Sequence, residues 1–487
     1  MMTHKECIQD AQYRNYNHII RINFFEQIAQ KVQMLFYTPE FFIFFAIFLA
    51  LLPFFKGVIR TIFCCLVSLI FYSWWNVSYL PLLLFLAVYT YLGSLLVHKY
   101  HNKMFFTAIV VTCALPLIYF KYSDFILENI FLFFHMDAPP PVAKDLPLGI
   151  SFVTFTALAY LADIYRNKFV PEKNFWRTGL YITFFPHLIA GPIFRAAELM
   201  PQLAGLKTNK TALKTAMFLF TVGMVKKVLF ANLIAPRVDA VYSGAVGDLP
   251  HSLLAFYGFS IQIYCDFSGY TDMAIALAML LGVEFPVNFD RPYASRGIRD
   301  FWRRWHITLS RWLRDYIYIP LGGSRQNLFK TVVSLLLTMA IGGLWHGAAW
   351  NFVLWGLFHG VLISLEHVLD KLGRIVSAVP AALKVCVTFH VVCIGWVFFR
   401  SSTLSKAWQI FHGFTRSGDL SFWADNSLVI ALAVLALALH HWDCLAQVRR
   451  ASQRIPTAVL APVCLSAMLV CAVLSLDNPA TFIYFDF

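Results

Sequence analysis

Phe41–Phe55 reads FFIFFAIFLALLPFF, fifteen residues without a charge or an amide, and its reading decides what kind of molecule this chain can be. A hydrocarbon core about 30 Å thick is crossed by about 20 mostly apolar helical residues, so this run with its flanks, or with tilt, can span one. Further windows of the same kind follow at Leu80–Val97, Phe105–Phe120, Leu146–Ala162, Val332–Trp345, Ala349–Leu365, Leu383–Phe399, Leu428–Leu439 and Val459–Leu476. The length rule gives roughly 11 to 13 spanning or re-entrant helices. Isolated strands cannot satisfy their backbone in lipid, which leaves a helical bundle. Of 487 residues, 59% are hydrophobic and 13% charged, against about 25% charged in a soluble domain. The expected fold is an all-α polytopic membrane protein with interfacial amphipathic helices.

A net charge of +13 would suggest nucleic acid in a soluble protein. Here the charges fall in short loops, His98–Lys103, Arg166–Arg177, Lys207–Lys214, Arg291–Lys330 and Arg449–Arg454, as cytoplasmic loops facing anionic lipid should. The partner implied is the membrane, not nucleic acid. The ten cysteines show no paired spacing beyond Cys64-Cys65 and read as small buried hydrophobes, neither disulfides nor a metal site. Residues 1–33 form a polar preface, with Met34 an alternative start, and 34–487 one membrane domain without a cleavable signal peptide. Trp74, Trp75 and Tyr79 read as interfacial belt residues, and Pro139-Pro140-Pro141 as a loop. No internal repeat of the kind many transporters carry is evident.

Polarity changes after residue 145. Asp163, His187, Asp266, Ser268, Tyr270, Asp272, His306, His346 and His359 sit in or beside apolar stretches, where each must face the bundle interior or an aqueous cavity. The stretch Asn288–Arg325, NFDRPYASRGIRDFWRRWHITLSRWLRDYIYIPLGGSR, is too charged to span and too aromatic for a free loop. Read as one helix from Gly297 to Ile319, it puts Ile298, Trp302, Trp305, Leu309 and Trp312 near one face. Arg299, Arg303, Arg304, Arg311 and Arg314 lie at the edges or opposite, the form of an interfacial helix with Trp anchors and guanidinium groups at head-group level. A surface anchor without chemistry fits equally, but His306 lies among these residues, and a thioester donor's phosphates would suit Arg303 and Arg304.

Gly342–Gly360 reads GGLWHGAAWNFVLWGLFHG. Its small residues allow close helix approach, and Trp345, Trp350 and Trp355 would wall a cavity around His346. A lone buried histidine is more often structural than catalytic. A neutral imidazole in such a place can nevertheless act as general base, taking the proton of a hydroxyl that attacks a thioester, with a second donor for the oxyanion. His359 lies about 3.6 helical turns further on, too far to share that environment in a continuous helix, and reads as structural.

Five segments together resemble the membrane-bound O-acyltransferases (MBOAT): LPLGISFVTF at 146–155, GPIFR at 191–195, IYCDFSGYTDMA at 263–274, RPYASRGIRDFWRRWHITLSRWLRDYIYIPLGG at 291–323 and GGLWHGAAW at 342–350. The nearest branch is the membrane subunit of alginate O-acetylation, with peptidoglycan and cellulose O-acetylation and teichoic-acid D-alanyl transfer subunits as relatives. The resemblance implies an MBOAT-type bundle with a funnel through a thin part of the membrane. It makes His346 the catalytic histidine and His306 a second one near the substrate. The residues themselves put Trp302, Trp305, Trp345, Arg303, Arg304 and Asp266 forward as substrate-side residues. Thr156 and His187 depart from the glutamines found in many relatives. The tail Phe482-Ile483-Tyr484-Phe485-Asp486-Phe487 reads as an aromatic anchor. It also resembles a C-terminal F-x-Y-F-x-F motif that in D-alanyl transfer systems sits on a separate peptide, which would make Tyr484 an acyl relay.

The expectation is therefore an O-acyltransferase of the bacterial inner membrane with its C-terminus outside. It would move acetyl groups from a cytoplasmic thioester, acetyl-CoA or an acylated carrier protein, towards a polysaccharide such as alginate, with no bound cofactor or metal. A periplasmic or membrane-tethered SGNH-like transferase would complete the transfer. The rival classes are a transporter or channel using Asp266, Asp272 and the histidines, and an envelope scaffold.

Overall fold

The computed structural model describes residues 34–477, apart from 138, 141–144, 245, 246, 373–378 and 420, together with Ile483. The preface 1–33, Pro141 and the tail residues Phe482 and Tyr484–Phe487 lie outside the described residues. The described residues form helices and no strands. Phe41–Phe55 becomes α1 (Pro39–Leu51) closed by a tighter turn at Leu52–Phe54, where Pro53 lacks the N–H that would continue the helix. Then come α2 (Gly57–Trp75), α3 (Leu80–Tyr100) and α4 (Lys103–Leu117). The last runs through a π turn at Ile118–Tyr122 into α5 (Ser123–Phe133), and α6 (Ile150–Tyr165) follows. The second half holds α7 (Leu213–Val225), α8 (Phe259–Leu280), α9 (Ile298–Arg304), α10 (Ile307–Leu313), α11 (Leu328–His346) and α12 (Trp350–Leu372). It ends with α13 (Ala381–Arg400), α14 (Ser427–Leu439), α15 (Leu445–Arg454) and α16 (Thr457–Asp477).

Eight helices among the described residues are long and apolar enough to cross a membrane. The lower end of the expected range is reached only by adding the pair Ser427–Trp442 and Leu445–Arg454, bent by 83°, and the shorter apolar helices Pro39–Phe54 and Ile150–Tyr165.

The centre of the bundle is α8, buried at 19 of its 22 residues. It packs backbone to backbone on α7: a Cβ added at Gly223 would stand 2.6 Å from the Gly269 carbonyl oxygen, and the converse distance is also 2.6 Å. The polar side chains of α8 thus face protein, as the cost of exposing them to lipid demands. Its acids are neutralised by two consecutive lysines in the π turn Lys226–Asn232 that extends α7. Lys227 pairs with Asp266, and Lys226 with Asp272 at 2.5 Å and Asp443 at 3.0 Å. A π turn changes the angle between successive side chains and is a frequent mark of functional sites.

The Asn288–Arg325 stretch differs from expectation. The single helix from Gly297 to Ile319 breaks after Arg304, and His306 takes a left-handed conformation (φ 40°, ψ 55°) before α10 starts. Trp302, Trp305 and Trp312 are buried in the protein instead of anchoring in head groups; Trp305 is fully enclosed between Phe301, Phe289 and Trp396. Nor do the arginines form a free row. Arg299 pairs with Glu366 and Asp370, Arg304 with Asp300, and Arg314 with Asp315. The apolar face of the pattern was real, but it seats the segment into the bundle.

Candidate active site

The structure puts His346 at the end of an apolar helix, and packing explains why that end is held so closely. α11 and α12 form a hairpin whose backbones touch: a Cβ on Gly343 would lie 2.1 Å from the Phe352 carbonyl oxygen, and one on Gly356 2.2 Å from that of Met339. Only glycine allows this approach, the small-residue seam that close helix pairs in membranes use. The seam ends at Gly347, so His346 is the last helical residue, 3% exposed. Its ring sits among Trp345, Trp355 and Phe399, with centroids 4.9, 5.1 and 5.2 Å away.

His306 arrives from the break between α9 and α10 and is fully buried. Its ring lies 4.7 Å from Phe267 of α8 and 5.9 Å from Trp345, so the Trp345 indole adjoins both histidines. The hydrogen bonds fix its tautomer. Asn288 Oδ1 accepts from the backbone N–H and the hydroxyl of Thr308, at 3.2 and 2.9 Å, and stands 3.1 Å from His306 Nδ1. An amide oxygen only accepts, so Nδ1 carries the proton and Nε2 presents its lone pair. That Nε2 is buried without a hydrogen-bond partner among the described residues. Burial pushes the His306 imidazole down to about 3, because water is not there to solvate the cation. It is neutral at any working pH, an acceptor aimed into the protein.

The predicted residues do not all gather here. His306, His346 and Trp345 do. Trp302 donates its indole N–H to His359 Nδ1 at 3.4 Å, and His359 packs on Trp355, which packs on His346. The helix is not continuous across 342–360, which brings His359 within one ring of His346, closer than the continuous-helix reading placed it. Trp305 backs the cluster through Phe301 and Phe289. Trp350 does not wall the His346 cluster: it is 59% exposed, beside Phe125, and donates to Asn129 Oδ1. Arg303 is exposed, and Arg304 is engaged by acids. Asp266 uses both oxygens internally, Oδ1 on Lys227 and Oδ2 accepting the Ile483 N–H at 3.0 Å. The buried Ile483 is thereby tied to the centre of the bundle. Replacing Asp266 by alanine takes the carboxylate away from the buried Lys227 ammonium, and breaking such a buried pair is expected to cost about 3–5 kcal/mol. Thermal unfolding in detergent checks this; a midpoint equal to wild type would refute it.

Three side chains escaped the sequence reading. Asn288 gives a weak signal, an amide ahead of an aromatic–basic stretch. Lys121 and Tyr122 lie just beyond the apolar window that ended at Phe120. The lysine Nζ donates to the carbonyl oxygens of Trp345 (2.6 Å) and His346 (3.0 Å), and the Tyr122 hydroxyl to that of Leu344 (3.0 Å). Among the described residues, no three His, Cys, Asp or Glu side chains are grouped as a metal site would need.

Two buried imidazoles meeting around an indole suit proton transfer to or from a hydroxyl or thiol. Residues 174–404 match the family model of MBOAT, the membrane-bound O-acyltransferase family. The chain is 35% identical over 411 residues to "Probable alginate O-acetylase AlgI" of Azotobacter vinelandii, covering 81% of each protein. The chain belongs to the membrane-bound O-acyltransferase family. The Pseudomonas aeruginosa protein of the same description is 36% identical over 419 residues, 81% of this chain and 79% of its own length. The peptidoglycan O-acetyltransferase of Helicobacter pylori is 36% identical over 384 residues, 72% of each. This multi-pass membrane protein is therefore an acyltransferase, and the transporter reading gives way. Its two histidines and the Asn288–His306 pair lie within the matched span.

Proposed function

We propose that the protein moves acetyl groups from a cytoplasmic thioester, acetyl-CoA or an acylated carrier protein, across the bacterial inner membrane for O-acetylation of an extracytoplasmic polysaccharide such as alginate. The observation that carries this reading is the meeting of buried His346 and His306 at Trp345, in a chain whose alginate O-acetylase relatives align over four-fifths of its length. His346 takes the proton of the attacking hydroxyl. The thioester carbonyl carbon gains the new C–O bond and loses the C–S bond, and the thiolate leaves with that proton. His306 Nε2 accepts a hydrogen bond from the donor or acceptor and orients it, while Arg303 and Arg304 support the donor's phosphates and Trp302, Trp305 and Trp345 shape the apolar wall. The peptidoglycan O-acetyltransferase relative, 36% identical over 72% of the chain, favours peptidoglycan as the second acceptor.

A periplasmic or membrane-tethered SGNH-like transferase completes the transfer to polymer. Tyr484 carries the acyl group to it, phenoxide being a better leaving group than an alkoxide. The N–H of Ile483, next to Tyr484 in the chain, is held by Asp266 at the centre of the bundle, which supports this role. Replacing Tyr484 by phenylalanine is expected to abolish acetyl esters on the envelope polysaccharide at unchanged protein level, measured by mass analysis of alginate and peptidoglycan. Full acetylation in that variant would leave the tail a hydrophobic anchor, and the polymer that loses its esters in a deletion strain identifies the acceptor.

A further inference from the structure

An α-helix leaves its last four carbonyls without an intrahelical partner. At the end of α11 three of these belong to Leu344, Trp345 and His346, and the local chain does not cap them. Gly347 is extended (φ −161°, ψ 149°), so no left-handed turn folds back over the helix end. All three carbonyls are instead taken by two consecutive residues of another helix, Lys121 holding two and Tyr122 one.

The α4–α5 helix is built to do this. Pro116 removes one backbone N–H near the end of α4, and the next residues, Ile118–Tyr122, form a single π turn. Successive residues of a regular helix point about 100° apart. The wider π turn alters that geometry at Lys121 and Tyr122 and brings both polar ends onto the same helix terminus. The ammonium also suits the negative end of the α11 dipole and lies 5.9 Å from the centre of the Trp345 ring.

We propose that Lys121 and Tyr122 form a strap that sets the position of His346, with Lys121 the principal positioning residue of the reaction centre. The proposal rests on His346 being the base. Its logic is geometric: a general base must stay within hydrogen-bond reach of the proton it takes, and the last residue of a helix otherwise frays. The glycine seam fixes α11 against α12 on one side, and the strap fixes its final turn on the other.

The test uses whole cells carrying the full chain in place of the chromosomal copy, reading base-labile acetate on the envelope polysaccharide, membrane protein level and melting temperature in detergent. Lys121→Met keeps the apolar stem but removes charge and donors, and is expected to lower acetylation by about 100-fold, the scale of a small misplacement of a catalytic group. Lys121→Arg, which keeps charge and several donors, should recover most of that loss, a rescue that mere packing would not give. Tyr122→Phe loses a single hydrogen bond without a cavity and should lower acetylation by about threefold to tenfold at unchanged melting temperature. The strap is refuted if Lys121→Met acetylates within about twofold of wild type, or if Lys121→Arg is as inactive as Lys121→Met at normal protein level. Should Lys121→Met fail to accumulate, Tyr122→Phe decides: wild-type acetylation there overturns the proposal. His346→Ala runs alongside. Full acetylation in that variant refutes the function itself, whatever the strap variants show.

Discussion

His346→Ala is expected to lower thioester turnover by about 10²–10⁴-fold, the usual contribution of a positioned general base. The protein should still fold, since the ring is one of several packed against Trp345, Trp355 and Phe399, and removing it leaves a modest cavity. Thiol release from acetyl-CoA by protein reconstituted in proteoliposomes, repeated with an acetylated carrier protein, measures the effect. His346→Gln keeps most of the volume and separates loss of the base from loss of packing. Its turnover should be as low as that of the alanine variant, with a melting temperature nearer wild type. Normal turnover in either variant would remove His346 from the reaction.

The second large effect is on the helix hairpin. Gly343→Ala places a methyl 2.1 Å from the Phe352 carbonyl oxygen, and Gly356→Ala one 2.2 Å from that of Met339. These are backbone atoms with no rotamer to change, so the helices must part. Overpacking of this kind costs about 3 kcal/mol, and it displaces His346, which ends the same helix. Both variants should melt lower and lose acetylation. Gly360→Ala is the internal control: its Cβ meets side-chain and backbone carbons at 3.2–3.3 Å, which a small shift relieves, so its effect should be clearly smaller. Equal melting temperatures for the three variants would contradict the seam.

Much of this was legible from residues alone. Apolar length marked most of the spans, because lipid imposes a minimum run and tolerates few charges. His346 was legible because an imidazole in an apolar run is costly, and glycines beside it signal close backbones. What escaped has a common physical cause. Periodicity assumes an unbroken helix, so it could not show the left-handed turn at His306 that divides Gly297–Ile319, nor that the tryptophans there pack inward. The same assumption kept His359 apart from His346, though the break at Gly347 folds α12 back beside α11. Lys121 was missed because its partners are carbonyls 224 and 225 residues away, and backbone acceptors leave no mark in a sequence. Asn288 was missed likewise: its value lies in orienting His306 from 18 residues upstream.

The site that results has a division of labour. The glycine seam and the Lys121–Tyr122 strap hold one histidine at a helix end, and Asn288 locks the tautomer of the other. Asp266, expected among the substrate-side residues, is instead engaged by Lys227 and the Ile483 N–H at the centre of the bundle.

His346 is proposed to drive O-acetylation outside the membrane. The most direct test is mass analysis of base-labile acetate on the extracytoplasmic polysaccharides of a deletion strain complemented with wild-type protein or with His346→Ala at matched membrane levels. Wild type is expected to restore the acetyl esters and His346→Ala to leave the polymer bare; restored esters with the alanine variant would contradict a role for His346.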